Sequence, residues 1–376
     1  MRKRRVAIFL GLCFLGLVFF IINKNFIEHT NSDSSKQKLE VVTKEKKQLE
    51  IVAKNLDVPW ALAFLPNGDL LFTERVGNIK LIKKDFSEPP ILVAKIPDVL
   101  QSVESGLHGI AVHPNYPNEP YIFVYYTYQS ESSGSPNNLN KVVRFKFYPA
   151  VTGDKAYQLS EETIMVDKIP GANFHDGGRI KFGPNKNLYI TTGDATNPSL
   201  SQDLNSPAGK ILKISKDHLE ENAPVEIFSL GHRNPQGITW DNKENLWEAE
   251  HGSDAFDEIN FIEKGKNYGW PEIRGYQEKE NMEKPILHSG QDTWAPAGMA
   301  FFEGSLYFGG LRGQALYQYD IEKKELKTYL KGQLGRIRDV VLGPDNLLYI
   351  TTSNRDGRGT PSSRDDKILR LDPITL

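Results

Sequence analysis

The sequence predicts an all-β protein, a six-bladed β-propeller of four-stranded antiparallel blades, and three observations carry that expectation. Glycine (31) and proline (22) are frequent enough to punctuate the chain with turns, and no stretch beyond residue 49 shows a sustained helical period. Hydrophobic residues make up 39% and aromatics 10%, enough to fill a core. Above all, one pattern recurs six times: an apolar strand, a polar turn and a second apolar strand.

The copies are WALAFLPNGDLLFTER from Trp60, GIAVHPNYPNEPYIFVYYT from Gly109, RIKFGPNKNLYITTGD from Arg179, GITWDNKENLWEAEHG from Gly237, GMAFFEGSLYFGGLRG from Gly298 and DVVLGPDNLLYITTSN from Asp339. Each alternates with period two around a turn of Pro-Asn, Asp-Asn or Glu-Gly type. A sandwich or double barrel would use the same hairpins, but six repeated units point to radial repetition. In a propeller, equivalent hairpin ends converge at one end of the channel. The residues after each second strand, Glu74, Arg75, Asp194, Glu250, His251, Arg312 and Arg355, form an expected polar ring suited to binding or catalysis.

Before the repeats, MRKRR precedes an apolar run from Val6 to Ile22. No A-x-A-like cleavage site follows, so residues 1–23 are read as an uncleaved signal-anchor helix in preference to a cleaved signal peptide. The positive flank places the rest of the chain outside the cytoplasm, anchored to the membrane, or secreted if the helix is cut. Residues 24–48 read as a flexible linker and 49–376 as the propeller domain. The single cysteine, Cys13, follows Leu12, which does not suit lipidation. One cysteine excludes a disulfide framework, a cysteine-ligated zinc and a cysteine nucleophile in the propeller. A net charge of −2 excludes a nucleic-acid binder that works by a global positive field.

The third copy places His175 and Asp194 at the two ends of one hairpin. With the turn centred between Asn185 and Lys186, position 175 faces about 196, which brings the two side chains together. A carboxylate beside an imidazole fixes its tautomer and makes it a better base, as proton abstraction from an alcohol requires. A turn-capping histidine with a solvated aspartate would give the same spacing. His108, His113, His232 and His251 show no metal-type spacing.

The segments NFHDGGRIKFGPNKNLYITTGDA, SLGHRNPQGITWD, AEHGSDAFDEINFIEKGKNYGWPEIRG and GRIRDVVLGPDNLLYITTSN resemble the soluble glucose/sorbosone dehydrogenases. These are aldose sugar dehydrogenases on a six-bladed propeller that depend on pyrroloquinoline quinone (PQQ) and calcium. The resemblance covers residues 49–376. It implies that His175 is the base taking the sugar C1 hydroxyl proton while hydride passes to the quinone, that Asp194 supports it, and that Arg233 and Asn234 lie beside the quinone carbonyls. It implies Arg336, Arg338, Arg312, Thr293 and Glu104 as cofactor contacts, and the carbonyls of Gly252 and Ser253 as ligands of a catalytic calcium. Glu258 and Tyr268 match a second, structural calcium site. Glu104 stands where the glucose enzymes carry glutamine, Ser253 where proline is usual, Asp176 where asparagine is usual, and Arg312 where lysine is common. Without the resemblance, RIRD reads as an exposed strand of alternating charge, and GRGTPSSRDDK as a surface loop that could border the substrate mouth.

The expected reaction is oxidation of an aldose at C1 to the lactone. No C-x-x-C-H haem motif is present, so electrons are expected to leave to a separate acceptor. A calcium-dependent lactonase on a similar propeller would want carboxylate and amide ligands on the channel axis, where arginines stand here. A non-catalytic binding propeller would be expected to lack His175 or Arg233, and both are present.

Overall fold

The computed structural model describes residues 49–130, 137–149 and 157–376. The anchor expected over 1–23 and the linker over 24–48 lie outside the described residues. Among the described residues, no helix is long and apolar enough to cross a membrane.

The described strands form six four-stranded antiparallel sheets. Blade 1 comprises Pro59–Phe64, Leu70–Glu74, Asn78–Ile82 and Ile91–Lys95; blade 2, Leu107–Val112, Tyr121–Ser130, Asn137–Pro149 and Tyr157–Pro170; blade 3, Ile180–Phe182, Leu188–Thr192, Lys210–Ile214 and Val225–Leu230. Blade 4 comprises Pro235–Trp240, Leu246–Glu250, Glu258–Ile262 and Leu287–His288; blade 5, Pro296–Phe302, Ser305–Gly310, Ala315–Asp320 and Glu325–Tyr329. Blade 6 takes Ile337–Leu342, Leu348–Thr352 and Ile368–Leu371 from the C-terminal part, and Glu50–Ala53 from the start of the described chain pairs outermost. The six repeated motifs are the first two strands of the six blades.

Six apolar clusters fill the six interfaces between neighbouring blades. Trp60, Leu71, Ile122 and Tyr126 pack between blades 1 and 2, Phe123 and Ile190 between 2 and 3, and Tyr189 and Ile238 between 3 and 4. Trp247 and Phe308 join blades 4 and 5, Tyr307 and Ile350 join 5 and 6, and Phe72 with Tyr349 joins 6 and 1. Period-two strands have two buried faces here, so apolar residues on both sides of each sheet find a neighbouring blade.

A β-bulge interrupts the inner strand of blades 1, 2, 4, 5 and 6 near its start. Trp60, His108, Gln236 and Arg338 sit at or beside these bulges, and the local kink turns them toward one another. Trp60 stacks on His108 at 4.9 Å, and Arg338 donates to Gln236 Oε1 at 3.3 Å. Beneath them Arg179 pairs with Asp339 at 3.1 Å, both fully buried, joining blades 3 and 6.

The blade 3 hairpin departs from expectation by one residue. Gly183 N–H donates to Asn187 O, and Lys186 takes a left-handed φ of 63°. The turn therefore centres on Asn185, and Ile180 pairs with Ile190. Position 175 faces 195, with Ala195 N–H donating to His175 O at 3.2 Å.

Candidate active site

The loops at one mouth of the channel enclose a cavity of about 500 Å³, within the range of small-molecule sites. His175 lines it, with 19% of its side chain exposed. Its Nδ1–H donates to Asp194 Oδ1 at 2.8 Å. Because a carboxylate only accepts, Nδ1 carries the hydrogen and Nε2 keeps the free lone pair. Asp194 is itself fixed: Oδ1 also accepts from Thr196 N–H at 2.8 Å, and Oδ2 accepts from Trp270 Nε1–H at 2.9 Å. His175 holds a left-handed φ of 62°, strain of the kind that gathers at functional sites. The facing backbone is so close that a Cβ at Gly193 would lie 1.8 Å from His175 O; only glycine permits that approach.

Six guanidiniums line the cavity, those of Arg75, Arg233, Arg312, Arg336, Arg338 and Arg358, against the carboxylates of Glu104, Asp254, Asp257 and Asp356. Arg336 Nε and Arg338 Nη2 both donate to Asp356 Oδ2, at 2.8 and 3.3 Å. Burial works to raise the Asp356 carboxyl, but these two cations hold it below the usual carboxylate range. Burial pulls Arg338 down to about 10, still charged at neutral pH, and lowers Arg75 and Arg233 as well. Asp257 is spent on structure: Oδ1 accepts from Gly252 N–H, and Oδ2 from Thr293 Oγ1–H, Trp294 N–H and Ala295 N–H.

Three buried nitrogens of this wall, Arg75 Nε, Arg233 Nε and His251 Nε2, find no partner among the described residues. Asn234 Nδ2–H donates to His251 Nδ1 at 3.4 Å, which leaves the hydrogen on Nε2. Burial pushes His251 down to about 3, so it is a neutral donor. A cavity with spare guanidinium charge and unpaired N–H groups is built for a polyanionic, acceptor-rich ligand.

The expected site residues distribute as follows. His175, Arg233, Glu104, Thr293, Arg312, Arg336, Arg338, Gly252 and Ser253 line the cavity. Asp194 stands behind His175. Asn234 is fully buried behind the wall, and its Oδ1 accepts from Gly177 N–H while its amide reaches His251. Glu258 and Tyr268, with Glu250, Gly252 and Ser253, line a separate space of about 20 Å³, the size of one water or one cation. Tyr268 commits its hydroxyl to Phe261 O and Glu263 N–H, at 2.6 and 2.9 Å, so any ligand atom it offers a cation is its main-chain carbonyl. Burial and Glu250 raise the Glu258 carboxyl to about 8.

One expectation is corrected. Arg355 is exposed and turns from the cavity to donate to Asp365 O. The histidines had no metal-type spacing, yet His232 lies with Glu248 and Glu250 in a buried group whose potential ligand atoms are within 4.8 Å of one another. Hydrogen bonds account for most of it: His232 Nδ1–H donates to Glu250, its Nε2 meets Ser229 Oγ, and Asn260 Nδ2–H donates to both carboxylates.

Sequence reasoning missed Gln236, Asp356 and the bracing Trp270, and it named no role for Arg358, although the loop GRGTPSSRDDK that carries it was expected to be able to border the mouth and Arg358 does line the cavity. Gln236 is aimed by a bulge, and Asp356 and Arg358 sit in a loop with no strand period. Trp270, within the quoted KNYGWP, reads as turn chemistry until the fold brings it to Asp194.

Known proteins agree with this architecture. The family model for glucose/sorbosone dehydrogenases matches residues 56–369. A PQQ-bound aldose sugar dehydrogenase from Streptomyces coelicolor superposes with a TM-score of 0.77 at 35% identity, over 86% of this chain and 97% of its own. An aldose sugar dehydrogenase of Escherichia coli is 29% identical over 82% of this chain and 91% of its own length. Quinoprotein glucose dehydrogenase B of Acinetobacter calcoaceticus is 30% identical over 61% of this chain and 53% of its own length. Fold, site and relatives together define a propeller oxidoreductase. The chain belongs to the glucose/sorbosone dehydrogenase family.

Proposed function

We propose that the protein is a PQQ- and calcium-dependent aldose sugar dehydrogenase that converts the C1 hydroxyl of the sugar to the lactone and passes the electrons to an external acceptor. The observation that carries this reading is the His175–Asp194 dyad facing a cavity walled by Arg75, Arg233, Arg312, Arg336 and Arg338, with three unpartnered N–H groups. PQQ is a planar tricarboxylate, which suits that charge and those donors, and when bound it supplies the acceptor for the C1 hydride.

Arg336, Arg338, Arg312 and Arg75 would hold its carboxylates, with Thr293 on the same wall. The carbonyls of Gly252 and Ser253 would hold the catalytic calcium, and Glu258 with the Tyr268 carbonyl a second one, hard oxygen donors in each case. His175 Nε2 accepts the hydroxyl proton, and Asp194 stabilises the imidazolium that forms. Arg233 adds positive potential to the wall on which negative charge develops. The apolar run from Val6 to Ile22 supports a location outside the cytoplasm on the membrane, which fractionation of cells would test.

The purified protein with PQQ and Ca²⁺ should reduce an artificial dye when given an aldose. His175→Ala should lower kcat by roughly 10²–10⁴-fold, the usual worth of a general base, while the bound quinone absorption band persists. PQQ bound in the wild type with no dye reduction across a broad aldose panel would overturn the assignment.

A further inference from the structure

One cluster at the cavity mouth has no part in the chemistry above. Arg358, after the second strand of blade 6, has 46% of its side chain exposed. Its Nη1–H donates to Glu104 Oε1, the only acceptor of its guanidinium among the described residues, which leaves most of its five N–H donors free. The guanidinium lies 5.2 Å over the ring of Phe174. Phe174 and Val103 are 37% and 47% exposed, and both line the cavity.

The cluster stands on the wall that carries the base. Glu104 Oε2 accepts from His175 N–H at 3.4 Å, and Glu104 N–H donates to Asn173 O at 3.1 Å. Arg358 N–H donates to Asp356 Oδ1 at 2.9 Å, so the loop that carries it is tied to the arginine cradle. Burial alone would raise the Glu104 carboxyl, but the Arg358 guanidinium, with Arg338 adding to it, holds it below its ordinary value. The glutamate is therefore ionised and spoken for by Arg358, so it does not stand as a free anion against the cofactor site.

A guanidinium with donors to spare, a carboxylate that fixes it and an exposed aromatic ring are the elements that recognise a polyol: hydroxyls on one side, a C–H face on the other. Resting on the sugar-oxidation reading, we infer that Arg358, held by Glu104, reads the hydroxyls of the substrate remote from C1, and that Phe174 and Val103 receive its C–H face. The site thereby selects a full-length aldose over a short hydroxyaldehyde, whose hydrate presents a C1 hydroxyl and C1–H for the same oxidation, to the acid, but cannot reach the mouth.

The test compares D-glucose with glycolaldehyde in the wild type, Arg358→Ala, Glu104→Gln and the double variant, with PQQ loading followed by absorbance and glucose binding by calorimetry. Arg358→Ala should weaken glucose binding and raise its KM about tenfold, as loss of charge-assisted hydrogen bonds does, with kcat/KM for glycolaldehyde changed less than about twofold and PQQ loading kept. The double variant should fall short of the product of the single effects, because the two side chains act as one unit. Equal losses for both substrates, or lost PQQ loading with an unchanged KM, would overturn the inference. A wild type that oxidises no aldose would defeat the oxidation reading; calorimetry still decides Arg358, since glucose binding weakened by Arg358→Ala supports its role and binding unchanged or absent refutes it.

Discussion

Asp176 shows how much one side chain next to the base can carry. It is 3% exposed, and its carboxylate accepts from Asn140 Nδ2–H, Ala172 N–H and Ser105 Oγ–H. Burial nevertheless raises it to about 6, with Glu104 adding to the effect. Below about pH 4 the group is protonated in both folded and unfolded chains and costs nothing. As the pH rises from about 4 to 6 the unfolded chain ionises first, so stability falls, and above 6 the loss levels off at ~3 kcal/mol. Asparagine would keep two of the accepted bonds and donate to Ser105, whose hydroxyl also reaches Ala172 O at 2.6 Å. Asp176→Asn should therefore raise the urea midpoint at pH 8, with the gap to wild type closing toward pH 4. Asp194→Asn acts differently, since an amide offered to His175 Nδ1 favours the hydrogen on Nε2 and removes the free lone pair. Its kcat should drop roughly 10²–10⁴-fold with PQQ still bound, a result that stopped-flow dye reduction can read.

Among the elements, the bulged inner strands do the aiming. In blade 5 the bulge contains Gly298, where a Cβ would lie 1.8 Å from Asp339 Oδ1. Asp339 also accepts from Leu62 N–H at 2.9 Å and pairs with Arg179, so the close approach ties blades 1, 3, 5 and 6 together. Gly298→Ala should displace Asp339 and leave Arg179 buried without its counter-charge, at a cost of about 3–5 kcal/mol by chemical denaturation. In blade 4, Glu248 stands directly opposite Asn260. Asn260 Nδ2–H donates to Glu248 Oε2 at 3.0 Å, and the two atoms left over, Glu248 Oε1 and Asn260 Oδ1, are both buried without a partner among the described residues. Burial and Glu250 raise the Glu248 carboxyl well above its ordinary value, so it keeps its proton and stands there as a neutral acid. Glu248→Gln should accordingly keep the fold and the thermal midpoint at pH 7, whereas Glu248→Ala should lower it.

For the whole molecule, closure is the decisive step. Glu50–Ala53 pairs with Ile368–Leu371, and Leu56 exchanges backbone hydrogen bonds with Asp366, so the two ends of the propeller share one blade. Removing residues 49–53 strips the partner from a strand edge and invites intermolecular pairing. The truncated protein should lose roughly 10 °C in thermal midpoint and form higher oligomers on size-exclusion chromatography, while the isolated segment added in trans should reverse part of the loss.

The hairpins, their sixfold repetition and the meeting of His175 with Asp194 were legible from the sequence, because each depends on residues close along the chain and on alternation that survives any packing. The arginine pair in GRIRD was legible only through resemblance; alone it reads as a solvated strand. What the sequence left open has one physical origin. Trp270 reaches Asp194 across 76 positions, and Arg358 reaches Glu104 across 254; no local pattern encodes such contacts. Bulges shift the alternation by a residue, so Gln236 and Arg338 face the channel in directions the period-two rule gets wrong. The sequence by itself determined the blades and the base with its carboxylate. Only the closed ring decided which charges meet at the cavity, as Arg358 meets Glu104, because that choice is made by neighbours brought together from distant parts of the chain.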